Sequence, residues 1–335
     1  MTPRYPAEWE PQAATWLAWP HNPQNWSKLK PQIEDFYTRL ISWIIQFQPV
    51  CLLVPPERKI PEASLLTWKE SKHSVFQHSI ATDDIWIRDY GPFFMQGQNG
   101  DYQVTFQFNA WGGKFPPWDA DNNVPQQISR LFQQTLLSFA PILEGGAMEF
   151  NGKGIGMTTL DCLVGPTRNP REQLPKLDGM IRHVFGLEDL IILPQGLVGD
   201  HTDGHIDNVA RFVGETRIVI CTEDNHSSPN YAILRNVKRL LREWISRRPE
   251  KTWVIDELPL PPQRKHGDEI MPASYMNFIF VNGGLLVPTY DSPTDEMALE
   301  YFREQFPDRK VEGMDCRLVL QEGGSLHCLS KQQPI

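Results

Sequence analysis

Helical periods and short apolar strand runs take turns along this chain from end to end, with no low-complexity linker between them. That alternation restricts the fold to a mixed α/β arrangement built from many short units. Ile33, Phe36, Leu40, Ile41, Ile44 and Phe47 recur at the spacing of one buried helix face, and "VCLLV" (50–54) follows Pro49 as a buried strand. The same period predicts helices through Ile128, Leu131, Phe132 and Leu136, through Leu174, Leu177 and Ile181, and through Ile233 to Ile245. A last one runs through Met297, Ala298, Tyr301 and Phe302, opened by the acidic "SPTDE". Strands are expected at 102–108, 154–159, 217–221, 253–258, 277–288 (with a hairpin at Asn282-Gly283-Gly284) and at "RLVL", 317–320.

One motif occurs twice. "LEGGAMEFNG" begins at Leu143 and "QEGGSLHCLS" at Gln321. The echo points to a duplicated supersecondary unit, or to a coincidence of common Gly-Gly turns. With 335 residues and scattered prolines, the expectation is one domain spanning 1–335.

A net charge of −9 disfavours nucleic acid and anionic membranes as partners and suits a small cation. The five cysteines (51, 162, 221, 316, 328) are odd in number and form no C-x-x-C, as expected of reduced thiols in a cytoplasmic protein. The greasiest stretch, Leu40 to Val54, is too short and too interrupted to span a bilayer, and the N-terminus has no apolar leader segment.

Three stretches carry the types of residue that chemistry needs. Cys328 follows a Gly-Gly loop and a histidine, where backbone amides and a nearby cation can stabilise a thiolate; the other cysteines lack such company. "GDHTDGHIDNVARF" (199–212) packs His201, His205, Asp200, Asp203 and Asp207 together. His201, His205 and Asp207 have ligand-like spacing for a metal-dependent hydrolase, although Gly204 argues against the continuous helix that would align them. The alternative is acid–base work by one histidine among carboxylates. "DDIWIRDYGPFF" (83–94) reads as a strand delivering Trp86 and Asp89 to a turn, and "FNAWGGKFPPWDADN" (108–122) as an aromatic loop carrying Trp111. Acidic groups beside flat rings suit a delocalised cation. A polyamine-binding protein without catalysis would need no thiol.

Taken in order, "PAEWEPQAATWLAWPHNPQNW", "WIRDYGP", "FNAWGGKFPPWDADN", "LEGG", "GDHTDGHIDNVARF", "SYMNFIFVNGGLLVP" and "GGSLHC" resemble the agmatine deiminases of the bacterial-type peptidylarginine deiminase family, guanidino-group modifying enzymes, over nearly the whole chain. The resemblance implies a five-bladed, pseudo-fivefold α/β propeller (pentein fold) with a central site and no cofactor or metal. It implies Cys328 as nucleophile, His205 as general acid and base, Asp89 and Asp207 as carboxylates clamping a guanidinium, and Glu144 as a supporting acid. Asn277, Trp86 and Trp111 would face the substrate, agmatine or a peptidyl or free arginine, and a homodimer would be the family's assembly. Three positions depart from the family's usual motif: Glu322 and Ser325 before the cysteine, and Glu149 where a histidine is frequent.

Overall fold

The computed structural model describes residues 3–22, 26, 28–98 and 100–335, so Pro23 to Asn25 of the opening motif lie outside them. Strand β1 (Gln12–Ala18) runs parallel to β2 (Val50–Val54), and β2 runs parallel to β3 (Val75–Ser79). Parallel neighbours need crossovers, supplied here by helices α1 (Lys30–Ile44) and α2 (Glu62–Trp68). Ile33, Phe36, Leu40, Ile41 and Ile44 are buried on one face of α1, the spacing expected of them.

The next four sheets repeat one plan: a short antiparallel hairpin, a crossover helix, then a parallel third strand. β4 (Phe93–Met95), β5 (Tyr102–Gln107) and β6 (Leu136–Ile142) enclose α3 (Val124–Phe132). β7 (Met148–Phe150), β8 (Ile155–Thr159) and β9 (Asp189–Leu193) enclose α4 (Leu174–Phe185). β10 (Ala210–Gly214), β11 (Arg217–Thr222) and β12 (Val254–Pro259) enclose α5 (Asn230–Ser246). A separate hairpin follows, β13 (Arg264–His266) with β14 (Glu269–Met271). β15 (Ile279–Val281), β16 (Gly284–Thr289) and β17 (Lys310–Asp315) then enclose α6 (Asp295–Gln305), with the expected hairpin at Asn282-Gly283.

The last strand, β18 (Ser330–Pro334), pairs antiparallel with β1 and supplies the hairpin strand that the first sheet lacks. Five like units, closed by the two ends of the chain, make a pseudo-fivefold propeller of α/β blades. Among the described residues no helix is long and apolar enough to cross a membrane.

Four local expectations are corrected. "RLVL" is a helical turn, Arg317–Leu320, because the Asp315 carboxylate accepts the Arg317 N–H at 3.0 Å and starts a turn where a strand would need an open ladder. Leu136 opens β6 rather than closing α3, since Gln133 adopts the left-handed conformation (φ 52°) and ends the helix first. Asp89 sits on a helical turn, Ile87–Tyr90, not on a strand. The units are repeated, but the Glu-Gly-Gly echo is out of register: Glu144 stands four residues before β7 at Met148, whereas Glu322 stands eight before β18 at Ser330.

Candidate active site

Each blade's inner strand is preceded by a tight turn, and these turns bring the chemistry to the centre. Ile87–Tyr90 precedes β4, Gly145–Ala147 precedes β7, Ile206–Asn208 precedes β10, Ser274–Asn277 precedes β15 and Leu326–Leu329 precedes β18. The turns carrying Asp89, Gly146, Asp207 and Cys328 pack against one another in sequence. A turn rather than a strand is needed because successive strand residues point to opposite faces, whereas a turn aims neighbouring side chains into one space.

Cys328 is buried at the floor of a cleft that Trp86, Asp89, Trp111, Phe115 and His201 also line. The Asn277 amide donates to its Sγ at 3.3 Å, and the same residue's Oδ1 accepts the backbone N–H of His327 (2.9 Å) and of Cys328 (3.3 Å). Asp207 Oδ2 lies 4.0 Å from the sulfur. Burial, reinforced by Asp207 and Asp89, pushes the thiol well above its ordinary range. Burial also pushes Cys51, Cys221 and Cys316 up to about 12, so acidity does not single out Cys328; its partners and its place in the cleft do.

His205 is fully buried, with Nδ1 3.7 Å from Asp89 Oδ1, and among the described residues neither ring nitrogen has a hydrogen-bond partner. Burial disfavours its charged form, yet Asp89, Asp207, Glu144 and Asp200 together outweigh that effect and raise its pKa. The ring's position follows from backbone pinning: the His205 N–H is held by Asp200 Oδ2 and Thr202 Oγ1, both at 3.1 Å. Asp89 is fixed twice, by the Trp111 indole N–H (2.9 Å) and by the Gly146 amide (2.8 Å). Trp111 adopts the left-handed conformation (φ 55°), unusual for so large a residue, and this turns its indole inward.

Glu144 is buried against Arg168 (Nε to Oε1, 2.8 Å), and burial raises its pKa although Arg168 opposes the rise. Burial alone would raise Asp207 as well; the hydrogen bond and charge of His327, 2.7 Å away, hold it low. Trp86 packs on the backbone of Gly324, so close that a Cβ there would fall 2.3 Å from its ring.

All eight expected site residues therefore meet around one centre, with Glu144 one layer behind the cleft. His201 lines the same cleft, where its ring packs near Phe115 (5.9 Å) and its Nε2 faces Glu269 at 3.5 Å. Gly204 in the left-handed conformation (φ 103°) breaks the stretch between the two histidines. Among the described residues no three ligand-type side chains converge as a metal would require. Of the three departures, Glu322 lines the cleft's mouth, Ser325 faces the Tyr290 hydroxyl at 3.4 Å, and Glu149 pairs with Arg211 at 2.9 Å.

Four polar residues at the centre were given no structural partner by the sequence: Glu8, Arg88, Arg211 and the ring of His327. Arg88 donates to the His327 carbonyl (3.1 Å) and to Gln332 (2.6 Å), tying the Cys328 turn to the Asp89 turn. Glu8 and Arg211 lie inside two of the motifs quoted for the family resemblance, and that place was the one signal available for them.

The profile of the Porphyromonas-type peptidyl-arginine deiminase family matches residues 4–334. Agmatine deiminase from Pseudomonas aeruginosa (strain LESB58) is 31% identical, covering 99% of this chain and 95% of its own. The agmatine deiminase of Ectopseudomonas mendocina is 30% identical over 98% and 95%. A C. jejuni agmatine deiminase variant solved with substrate bound superposes with a TM-score of 0.89 at 30% identity, covering 99% of this chain and 96% of that one. The agmatine deiminase of Enterococcus faecalis gives 0.88 at 28%, with the same coverage.

Proposed function

Because this chain belongs to the Porphyromonas-type peptidyl-arginine deiminase family, we propose that it hydrolyses agmatine to N-carbamoylputrescine and ammonia through a covalent intermediate on Cys328, acting as one catalytic domain. One observation carries the choice of substrate. The cleft that opens on Cys328 is lined by three carboxylates, Asp84, Asp89 and Glu322, and among its described lining residues there is no lysine or arginine. Agmatine is cationic at both ends, whereas arginine would bring a carboxylate that needs a cationic partner. Lys114, near the mouth, is already engaged by Asp203 (2.5 Å) and the His201 carbonyl (2.8 Å).

The chemistry follows from the geometry. A guanidinium is planar and a poor electrophile, because resonance spreads its charge over three nitrogens. Asp89 and Asp207 hold it in fork geometry, fixing its central carbon beside Sγ. Cys328 rests as a thiol in the free protein, since burial and, beside it, the carboxylates of Asp207 and Asp89 oppose its ionisation. Docking of the cation offsets the carboxylates' share of that opposition, and the thiol passes its proton to solvent water when there is something to attack. Sulfur adds to the carbon; cationic His205 protonates one nitrogen, which leaves as ammonia. The product of this half-reaction is a thiouronium. Neutral His205 then takes a proton from water, whose oxygen adds to the same carbon and expels the sulfur as the ureido product forms.

The test is ammonia release from agmatine, arginine and a peptide ending in arginine, by the wild type and by Cys328→Ala. Agmatine is expected to be turned over fastest, and the variant is expected to lose at least about 10³-fold in rate. An active Cys328→Ala protein would sink the mechanism, and a preference for arginine would sink the substrate.

A further inference from the structure

Behind the cleft lies a line of buried groups in which acidic and basic side chains alternate. Glu149 Oε2 meets Arg211 Nε at 2.9 Å, and Arg211 Nη2 meets Glu8 Oε2 at 2.8 Å. Glu8 Oε2 meets His327 Nε2 at 2.8 Å, and His327 Nδ1 meets Asp207 Oδ2 at 2.7 Å. All five side chains are nearly or wholly inaccessible. Asp207 Oδ2 is also the atom that faces the Cys328 sulfur. The line thus ends at the reacting group.

Buried ion pairs are a poor source of net stability, because desolvation cancels most of their attraction. Five acidic and basic groups placed in a row ask for another reason. Both ring nitrogens of His327 point at carboxylate oxygens, and a neutral imidazole has only one N–H to give. Glu8 is the fixed end: its Oε1 accepts the Phe280 amide at 3.0 Å, and Arg211 is itself anchored to the carbonyls of Met276 and Phe278, each at 3.0 Å. The Arg211 guanidinium also stacks over the Phe278 ring at 4.4 Å.

We infer that Glu8 and His327 are positioning residues: Glu8 holds His327 with an N–H on each ring nitrogen, and that doubly donating ring fixes Asp207, ionised and aimed, beneath the substrate carbon. The role of Glu149 becomes the balancing of Arg211 at the outer end of the line. The inference rests on the deiminase reading for its kinetic arm only. The directions of the Glu8 and Asp207 shifts agree with it. Arg211, His327 and Arg88 outweigh burial and hold Glu8 low, and His327 does the same for Asp207. Other titratable groups felt by these two carboxylates are Tyr5, Arg309 and Lys331 around Glu8, and His205 and Cys328 around Asp207.

The experiment has a spectroscopic arm and a kinetic one. In ¹⁵N NMR of the histidine side chains, the wild-type protein at pH 8 should show an imidazolium whose signals disappear in His327→Asn and persist in His205→Asn. Glu8→Gln, which keeps the shape and removes the charge, should return that ring to the neutral form. This arm needs no substrate, so it stands whether or not agmatine is turned over. In the kinetic arm, Glu8→Gln and His327→Asn should each lower kcat by roughly 10²-fold, with a much smaller change in KM. The acid limb of kcat/KM should move to higher pH in Glu8→Gln, because an Asp207 that loses its cationic partner binds its proton more tightly. The double variant should be no slower than His327→Asn alone, since Glu8 acts through that ring. A neutral His327 in the wild type, or an unmoved acid limb in a folded Glu8→Gln protein, overturns the inference.

Discussion

Gly146 shows how closely the site is drawn together. A Cβ added there would lie 2.6 Å from His205 Nδ1, 2.8 Å from Asp89 Oδ1 and 3.0 Å from Asp207 Oδ2. One methyl group would therefore press on three of the groups assigned to the chemistry while leaving the hydrophobic core untouched. Gly146→Ala is expected to lower kcat/KM for agmatine by about 10²-fold or more. Its midpoint in denaturant should move little by comparison, and a variant of normal activity would show that the three groups do not act from these positions. His205 allows a second test at this scale. Its pKa is raised by neighbouring carboxylates, so the protonated ring needed to release ammonia persists above the ordinary histidine value of about 6.5. Replacing Glu144 by Gln removes one contributor, and the alkaline limb of kcat/KM should then move to lower pH; a limb that stays fixed would argue that another group sets it. Cys328 and the 199–212 stretch holding His205 stood out in the sequence by reactive residue types beside Gly-rich turns, whereas the places of Asp89, Asp207 and Glu144 came from the family resemblance of their motifs. Glu8 and Arg211 were not legible, since a buried charge shows itself only by partners, and theirs are brought together from segments remote in the chain: Glu8 and His327, Arg211 and Glu149.

Helices long enough to show a period were read correctly, and helical turns of four residues were not. α1, α4, α5 and α6 each span three turns or more and display their buried stripe. The turns at Ile87–Tyr90 and Arg317–Leu320 last a single turn, too short for any periodicity, and their apolar residues mimic a buried strand. Those single turns are nevertheless what aims the side chains, so the signal was weakest at the centre of the molecule. The long elements serve a different purpose, which a substitution can separate. Leu40 is wholly buried on α1, in the first sheet's core. Leu40→Ala should cost about 2–5 kcal/mol in unfolding free energy, read from denaturant curves, and leave KM for agmatine unchanged in the folded protein. A changed KM would mean that this helix reaches the cleft after all.

At the scale of the whole molecule, the closure of the ring places the nucleophile. The first sheet borrows its hairpin strand from the opposite end of the chain, with Ala14 paired to Gln333, Thr15 to Gln332, Trp16 to Lys331 and Leu17 to Ser330. Cys328 lies two residues before that strand, on the turn that the strand holds. Side chains fasten the same junction: Trp16 Nε1 donates to Gln333 at 2.9 Å, and Arg88 reaches Gln332 across from the next blade. Closing the ring and setting the sulfur beside Asn277 and Asp207 are thus one event, and stability and activity should fail together when it is undone. A chain ending at Ser330 keeps Cys328, His205, Asp89, Asp207 and Asn277 but loses this pairing. It is expected to unfold at lower denaturant and to lose agmatine hydrolysis even where circular dichroism shows the other blades folded, because β1 then carries an open edge and the turn before it has no anchor. Substituting Gln333 by Ala removes one of the bonds and should give a milder form of both losses. If the shortened chain still released ammonia at the wild-type rate, the position of the nucleophile would have to be set by its own turn alone.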